Sequence, residues 1–167
     1  KWGELKALIA GTTSVVGLPG TSSSCFNSLA RSIDSAQNGG LGPDQVRTSA
    51  LFPPATDDAD VVCAKLQSGE VAAYLIHCGE GIDAKALQEW KTLGSVTTLP
   101  GCFYAPQTTI THGTAFGSAE FAAMAQKGMK LTWSPASNVA LYGQTADIPT
   151  ALAAGVKVSL APDWSMG

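Results

Sequence analysis

Apolar positions along the chain gather into short blocks, and stretches of helical spacing separate them. Residues 71–77, Val-Ala-Ala-Tyr-Leu-Ile-His, are nearly continuous apolar, as a strand covered on both faces should be. Further β-rich runs lie at 11–17, 46–52, 107–112, 129–133 and 156–160, with a short one at 29–34; Pro53-Pro54 stops the run at 46–52. Helical stretches fall between the later runs. Asp83 caps 84–93, and Gly94 stops it. Ser118 caps 119–127, and Gly128 stops it. Asp147 precedes 148–154, Gly155 ends it, and Pro149 sits in the first turn, where its missing N–H costs nothing. Three successive units thus read polar cap, helix, glycine, strand. A helix between consecutive strands predicts a parallel α/β sheet. Residues 18–45, with Pro19-Gly20, Ser22-Ser23-Ser24 and Asn38-Gly39-Gly40, read as a long loop around one strand.

Length and charge narrow the class. The chain has 167 residues, 45% of them hydrophobic and 14% charged, enough apolar content to bury a single core. Lys and Arg number 10 against 13 Asp and Glu, a net charge of -3. This balance predicts neither a nucleic-acid nor a membrane partner, since both favour a basic face. The opening Lys1-Trp2-Gly3-Glu4 carries no initiating Met, so the chain is expected to begin inside a longer product. Four cysteines, Cys25, Cys63, Cys78 and Cys102, show no C-x-x-C spacing. They could form two disulfides. The α/β pattern favours four free thiols and a cytoplasmic, reducing location instead.

Candidate chemistry collects at the ends of the apolar runs. The chain has two histidines. Both close a β-run and precede a glycine-containing loop, in His77-Cys78-Gly79-Glu80 and His112-Gly113-Thr114. The last run ends alike, in Leu160-Ala161-Pro162-Asp163, and the one before it in Ser134-Pro135-Ala136-Ser137-Asn138. In a parallel barrel, the carboxyl ends of the strands face one mouth. His77, Glu80, His112, Asn138 and Asp163 would then converge. Imidazole and carboxylate suit a divalent transition ion, and Glu80 could shuttle a proton. Each residue taken alone is more often a structural histidine, a solvated carboxylate or a turn aspartate. A serine hydrolase is disfavoured because no G-x-S-x-G occurs. Cys78 makes a poor nucleophile with His77, because neighbours in a strand point to opposite faces.

These motifs resemble the amidohydrolase superfamily, in its branch of nucleobase deaminases and triazine chlorohydrolases. His77-Cys-Gly-Glu80-Gly81 is similar to the branch's fifth-strand H-x-x-E, and Ile110-Thr-His112-Gly113 to its sixth-strand histidine. Trp133-Ser-Pro135-Ala-Ser-Asn138 resembles the seventh-strand P-x-S-N. Residues 155–163 resemble the eighth-strand G-V-x-V-x-L-G-x-D, with Ala161 in place of the usual Gly. Upstream, residues 10–16 resemble the second strand's G-x-T. The first-strand H-x-H of the family is missing from the chain.

The resemblance implies a metal-dependent hydrolase with a (β/α)8 TIM barrel, present here as an incomplete barrel of about strands two to eight. Residues 1–167 would form one partial catalytic barrel domain. The implied reaction is hydrolysis of carbon–nitrogen bonds other than peptide bonds, with activated water attacking an amino-heterocycle or a cyclic amide-like small molecule. His77, Asp163 and His112 are the implied ligands of one divalent ion, zinc first and iron second. Glu80, His112 and Asp163 would handle protons, and Trp133 and Asn138 would line the substrate. A barrel lacking its first strand leaves open edges, so a homo-oligomer, or missing segments that complete the barrel, is expected. The competing reading is a non-catalytic α/β half-barrel or interaction module whose histidines are structural.

Overall fold

The computed structural model describes residues 2–16, 31–33 and 45–163. Helix α1 (Trp2–Ile9) opens the chain, and a two-stranded parallel ladder pairs β1 (Ser14–Val15) with β2 (Arg31–Ser32). The runs expected at 11–17 and 29–34 are therefore shorter where described, and most of the 18–45 loop lies outside the described residues. The main sheet has five strands: β3 (Val46–Ser49), β4 (Ala73–Cys78), β5 (Thr108–His112), β6 (Lys130–Trp133) and β7 (Lys157–Leu160). All neighbours pair in parallel, and their order across the sheet follows their order in the chain.

That order decides the architecture. Parallel crossovers are right-handed, so strands added in one direction send every connecting helix to the same face. A doubly wound sheet would need a reversal of order, and this sheet has none. Among the described residues the arrangement is an arc of a singly wound β/α sheet, with no strand paired beyond β3 or β7.

The helices are α2 (Thr56–Ser68), α3 (Ala84–Leu93), α4 (Ser118–Gln126), α5 (Pro135–Tyr142) and α6 (Ile148–Ala154). The expected caps of α3 and α6 are present. Asp83 accepts from the N–H groups of Lys85 and Ala86, and Asp147 accepts from that of Thr150. For α4 the expectation is corrected. Gly117 holds the cap position, its N–H donating to Glu120 at 3.0 Å, and Ser118 is already helical. The run at 46–52 is strand only to Ser49. Residues 135–138, expected as the end of a β-run, begin helix α5, with Pro135 in the first turn, where it is tolerated.

One face of the sheet carries the core. Tyr74, Ile76, Ile110 and Leu131 are fully buried, packed with Phe103, Phe121, Met124 and Leu93. The core face also carries a second correction. Cys63 of α2 and Cys102 form a disulfide, so the expectation of four free thiols fails. Burial of both cysteines against one cluster brings together residues that their spacing does not pair. With the free thiols goes the ground for a reducing, cytoplasmic location. Asp60 reinforces the same junction by accepting from the N–H and hydroxyl of Thr98 at 2.7 and 2.6 Å, and these bonds hold its carboxyl below the usual range. Among the described residues no helix is long and apolar enough to cross a membrane.

Candidate metal centre

His77 stands on the open face of β4, one residue before the buried Cys78. Its Nδ1 lies 3.1 Å from the carbonyl oxygen of Ser49. A carbonyl only accepts, so Nδ1 carries the proton and the lone pair rests on Nε2. Metal-binding histidines are oriented in this way by a backbone acceptor. Burial pushes the Cys78 thiol well above its ordinary range, which keeps it protonated and unreactive.

His112 reaches the site by a different route. In the β4–β5 register it pairs with Cys78, and His77 pairs with Thr111. A regular pleat would therefore carry His112 to the face of Cys78, away from His77. Its backbone is instead left-handed, with φ 78°. The pleat breaks there, and the two imidazole centroids stand 5.1 Å apart. Asp163, just past β7, is also left-handed, with φ 72°. Among the described residues these two are the only non-glycine positions of positive φ. Such conformations cost about 1–3 kcal/mol each and cluster at working sites.

The glycines after both histidines are sterically required. A Cβ on Gly79 would stand 2.5 Å from the Phe116 ring, and one on Gly113 would stand 2.9 Å from Leu131 and 3.3 Å from Phe116. Both loops thus close on one aromatic ring. Their backbones are tied as well, Gly113 N–H to the Cys78 carbonyl and Ala115 N–H to that of Gly79.

The first turn of α5 reaches two site residues. The Ser137 hydroxyl donates to Asp163 Oδ2, and the Asn138 side chain lies 3.0 Å from His112 Nδ1. Ser137 and Asn138 are themselves completely buried. Glu80 accepts from the Tyr142 hydroxyl at 3.0 Å and faces His112 Nε2 at 3.6 Å. The Tyr142 hydroxyl is pushed up to about 12, first by burial and then by that bond to Glu80. Burial lowers the basicity of His112 and His77 lowers it further, while Glu80 and Asp163 act in the opposite sense. Trp133 is half-buried, and its indole N–H is taken up by Thr145.

His77, His112 and Asp163 each offer a ligand atom, and these atoms lie within 4.8 Å of one another. Imidazole and carboxylate form a donor set that fits a divalent transition ion. The Ser49 bond leaves the lone pair of His77 on Nε2, the atom such an ion would take. His77 and Glu80 also line a cleft of about 190 Å³ with Ala50, Leu51, Phe52 and Glu89.

No family model matches the sequence, and no curated protein matches it. Solved structures do match. A triazine hydrolase from Arthrobacter aurescens, modified for expression in E. coli, superposes with a TM-score of 0.59 at 15% identity, over 70% of this chain and 26% of its own. This chain folds like a part of a triazine hydrolase. Atrazine chlorohydrolase TrzN from Arthrobacter aurescens TC1, complexed with zinc, gives 0.52 at 16% identity over 61% of this chain and 22% of its own. A variant of that chlorohydrolase with zinc and atraton gives 0.52 at 14% identity, over 65% of this chain and 24% of its own. The chain spans about a quarter of the triazine hydrolase's length. The resemblance to these hydrolases is thus one of fold, over part of each chain.

Sequence reasoning passed over Glu89, Ser137, Tyr142 and Thr145. Glu89 accepts from the Gly79 N–H at 2.7 Å and also from the Glu80 N–H, fixing the loop that carries Glu80. Its carboxyl is raised by burial above all. Ser137 stood in the quoted P-x-S-N pattern and was the one legible signal. The other three sit in helices or loops with no motif of their own.

Proposed function

We propose that this chain is part of the barrel of a metal-dependent hydrolase of the amidohydrolase superfamily. It acts at a carbon bearing nitrogen or a similar leaving group, in an amino-heterocycle or cyclic amide-like small molecule. The observation that carries this reading is the meeting of His77, His112 and Asp163 within 4.8 Å, although β4, β5 and the end of β7 supply them separately. Histidines serving only structure have no need to converge on an aspartate. The fold shared with triazine hydrolases supports the same reading.

His77 and Asp163, with His112 beside them, would hold a single divalent ion, zinc by preference and iron as the second choice. When bound, such an ion acidifies water and polarises the substrate bond it touches. Ser49 and Ser137 orient the two ligands from behind. Glu80 stands between the Tyr142 hydroxyl and the His112 ring, placed to hold a proton and pass it to a leaving nitrogen. Trp133 and Asn138, assigned to the substrate from sequence, support the site through Thr145 and His112. Among the described residues β3 and β7 have no outer neighbour, and closing a barrel there calls for further strands or a second copy. The segment by itself is therefore expected to hydrolyse slowly.

Calorimetric titration of the chain with Zn²⁺ tests the centre. His77→Ala should weaken binding by more than about 100-fold, beyond the 10- to 100-fold that outer-shell partners carry. Zinc binding that survives both His77→Ala and Asp163→Ala would end the assignment. Light scattering that shows a lone monomer with full hydrolytic activity would end the expectation of missing strands.

A further inference from the structure

A line of hydrogen bonds leads from Trp133 to the buried site histidine. The Trp133 indole N–H donates to Thr145 Oγ1 at 2.6 Å. An indole only donates, so the Thr145 hydroxyl accepts there and keeps its own proton for another partner. Asn138 Oδ1 takes that proton at 3.4 Å. The amide is thereby oriented: its oxygen faces Thr145, and its Nδ2 lies 3.0 Å from His112 Nδ1. An amide nitrogen donates and does not accept, so Nδ1 of His112 must offer its lone pair.

We propose that Thr145 is a positioning residue, which passes the directionality of the Trp133 donor through Asn138 and holds His112 with its proton on Nε2. His77 is held in the opposite tautomer, because the Ser49 carbonyl requires the proton on Nδ1. Two rings 5.1 Å apart then present unlike nitrogens to one space, a lone pair from His77 and an N–H from His112, so that in this tautomer His112 stands beside the ligands His77 and Asp163 and does not join them. The His112 N–H points toward Glu80 Oε2 at 3.6 Å and can also steady an oxygen or nitrogen of a substrate. The burial of Asn138 makes the relay effective, since a fully buried amide has no water to satisfy a misplaced end. The use of that N–H in catalysis rests on the hydrolase reading; the tautomer does not.

The test uses the full chain, metal-free and labelled with 15N-histidine, at about pH 8, above the ordinary histidine range. Two-bond proton–nitrogen correlation spectra distinguish the tautomers, and the chain has only two histidines to assign. The expected result is protonated Nε2 at His112 and protonated Nδ1 at His77. Thr145→Val should lower the Nε2–H to Nδ1–H ratio at His112 about fivefold, the factor one net hydrogen bond carries. Thr145→Ser should restore it, and the His77 pattern should not move. Protonated Nδ1 at His112 in the unaltered chain overturns the proposal. An unchanged ratio in folded Thr145→Val overturns it as well. Should that variant fail to fold, Trp133→Phe removes the donor at the far end; an unmoved ratio there is equally fatal. No step measures hydrolysis or metal, so this proposal and the hydrolase reading can fail separately.

Discussion

The two faces of the five-stranded sheet have divided their duties. On the helix-covered face Tyr74, Ile76, Ile110 and Leu131 lose all contact with water. On the opposite face Leu75, His77, Thr109, Thr111 and Thr132 remain partly exposed. Strand alternation alone separates these two sets. Cohesion comes from the covered face, and the candidate ligand His77 stands on the open one. His112 is the exception: parity assigns it to the covered face, and a left-handed backbone turns it toward His77. The site therefore forms where the pleat ends, with buried hydrophobic residues directly behind it.

Substitutions can press on this division. The largest effect belongs to the covered face: Phe121→Ala should cost about 4 kcal/mol in urea unfolding, as truncation of a buried aromatic does. Next is the Cys63–Cys102 bridge, which fastens α2 to the segment before β5. Cys63→Ser should cost about 2–4 kcal/mol, and thiol titration of the unfolded, unreduced chain should leave both bridged cysteines unreactive. Reaction of both would remove the bridge from this account. The smallest effect belongs to the open face, where Thr109→Val should change stability by no more than about 0.5 kcal/mol. A loss there approaching that of Phe121→Ala would mean that both faces are core, and the division would collapse.

Much of the covered face could be read from the sequence. The apolar run ending at His77 and the cap-and-glycine units around α3 and α6 carry local signals, and the structure places elements there. The parallel order followed from those units. Helix α2 is not legible in the sequence, because Val61, Val62 and Ala64 blur the buried stripe of Ala59, Cys63 and Leu66. The start of helix α5 reads as the end of a β-run, because Pro135, Ser137 and Asn138 are turn residues as often as they are first-turn helix residues. The convergence of His77 and His112 was anticipated from strand ends. The backbone twist that permits it, at φ 78°, has no signature beyond the following glycine. The disulfide and the relay through Thr145 join residues far apart in the chain, and no periodicity records such pairs.

Phe116 is wedged against the glycines that follow both histidines, and its ring also meets Trp90 and Phe121 edge-on. A change that reshapes one histidine loop must displace this ring and so disturb the other. Selection acting on such a protein cannot reshape one histidine loop and leave the other as it was. Variants that alter either loop would be found in pairs, with compensation at Phe116 or its aromatic neighbours.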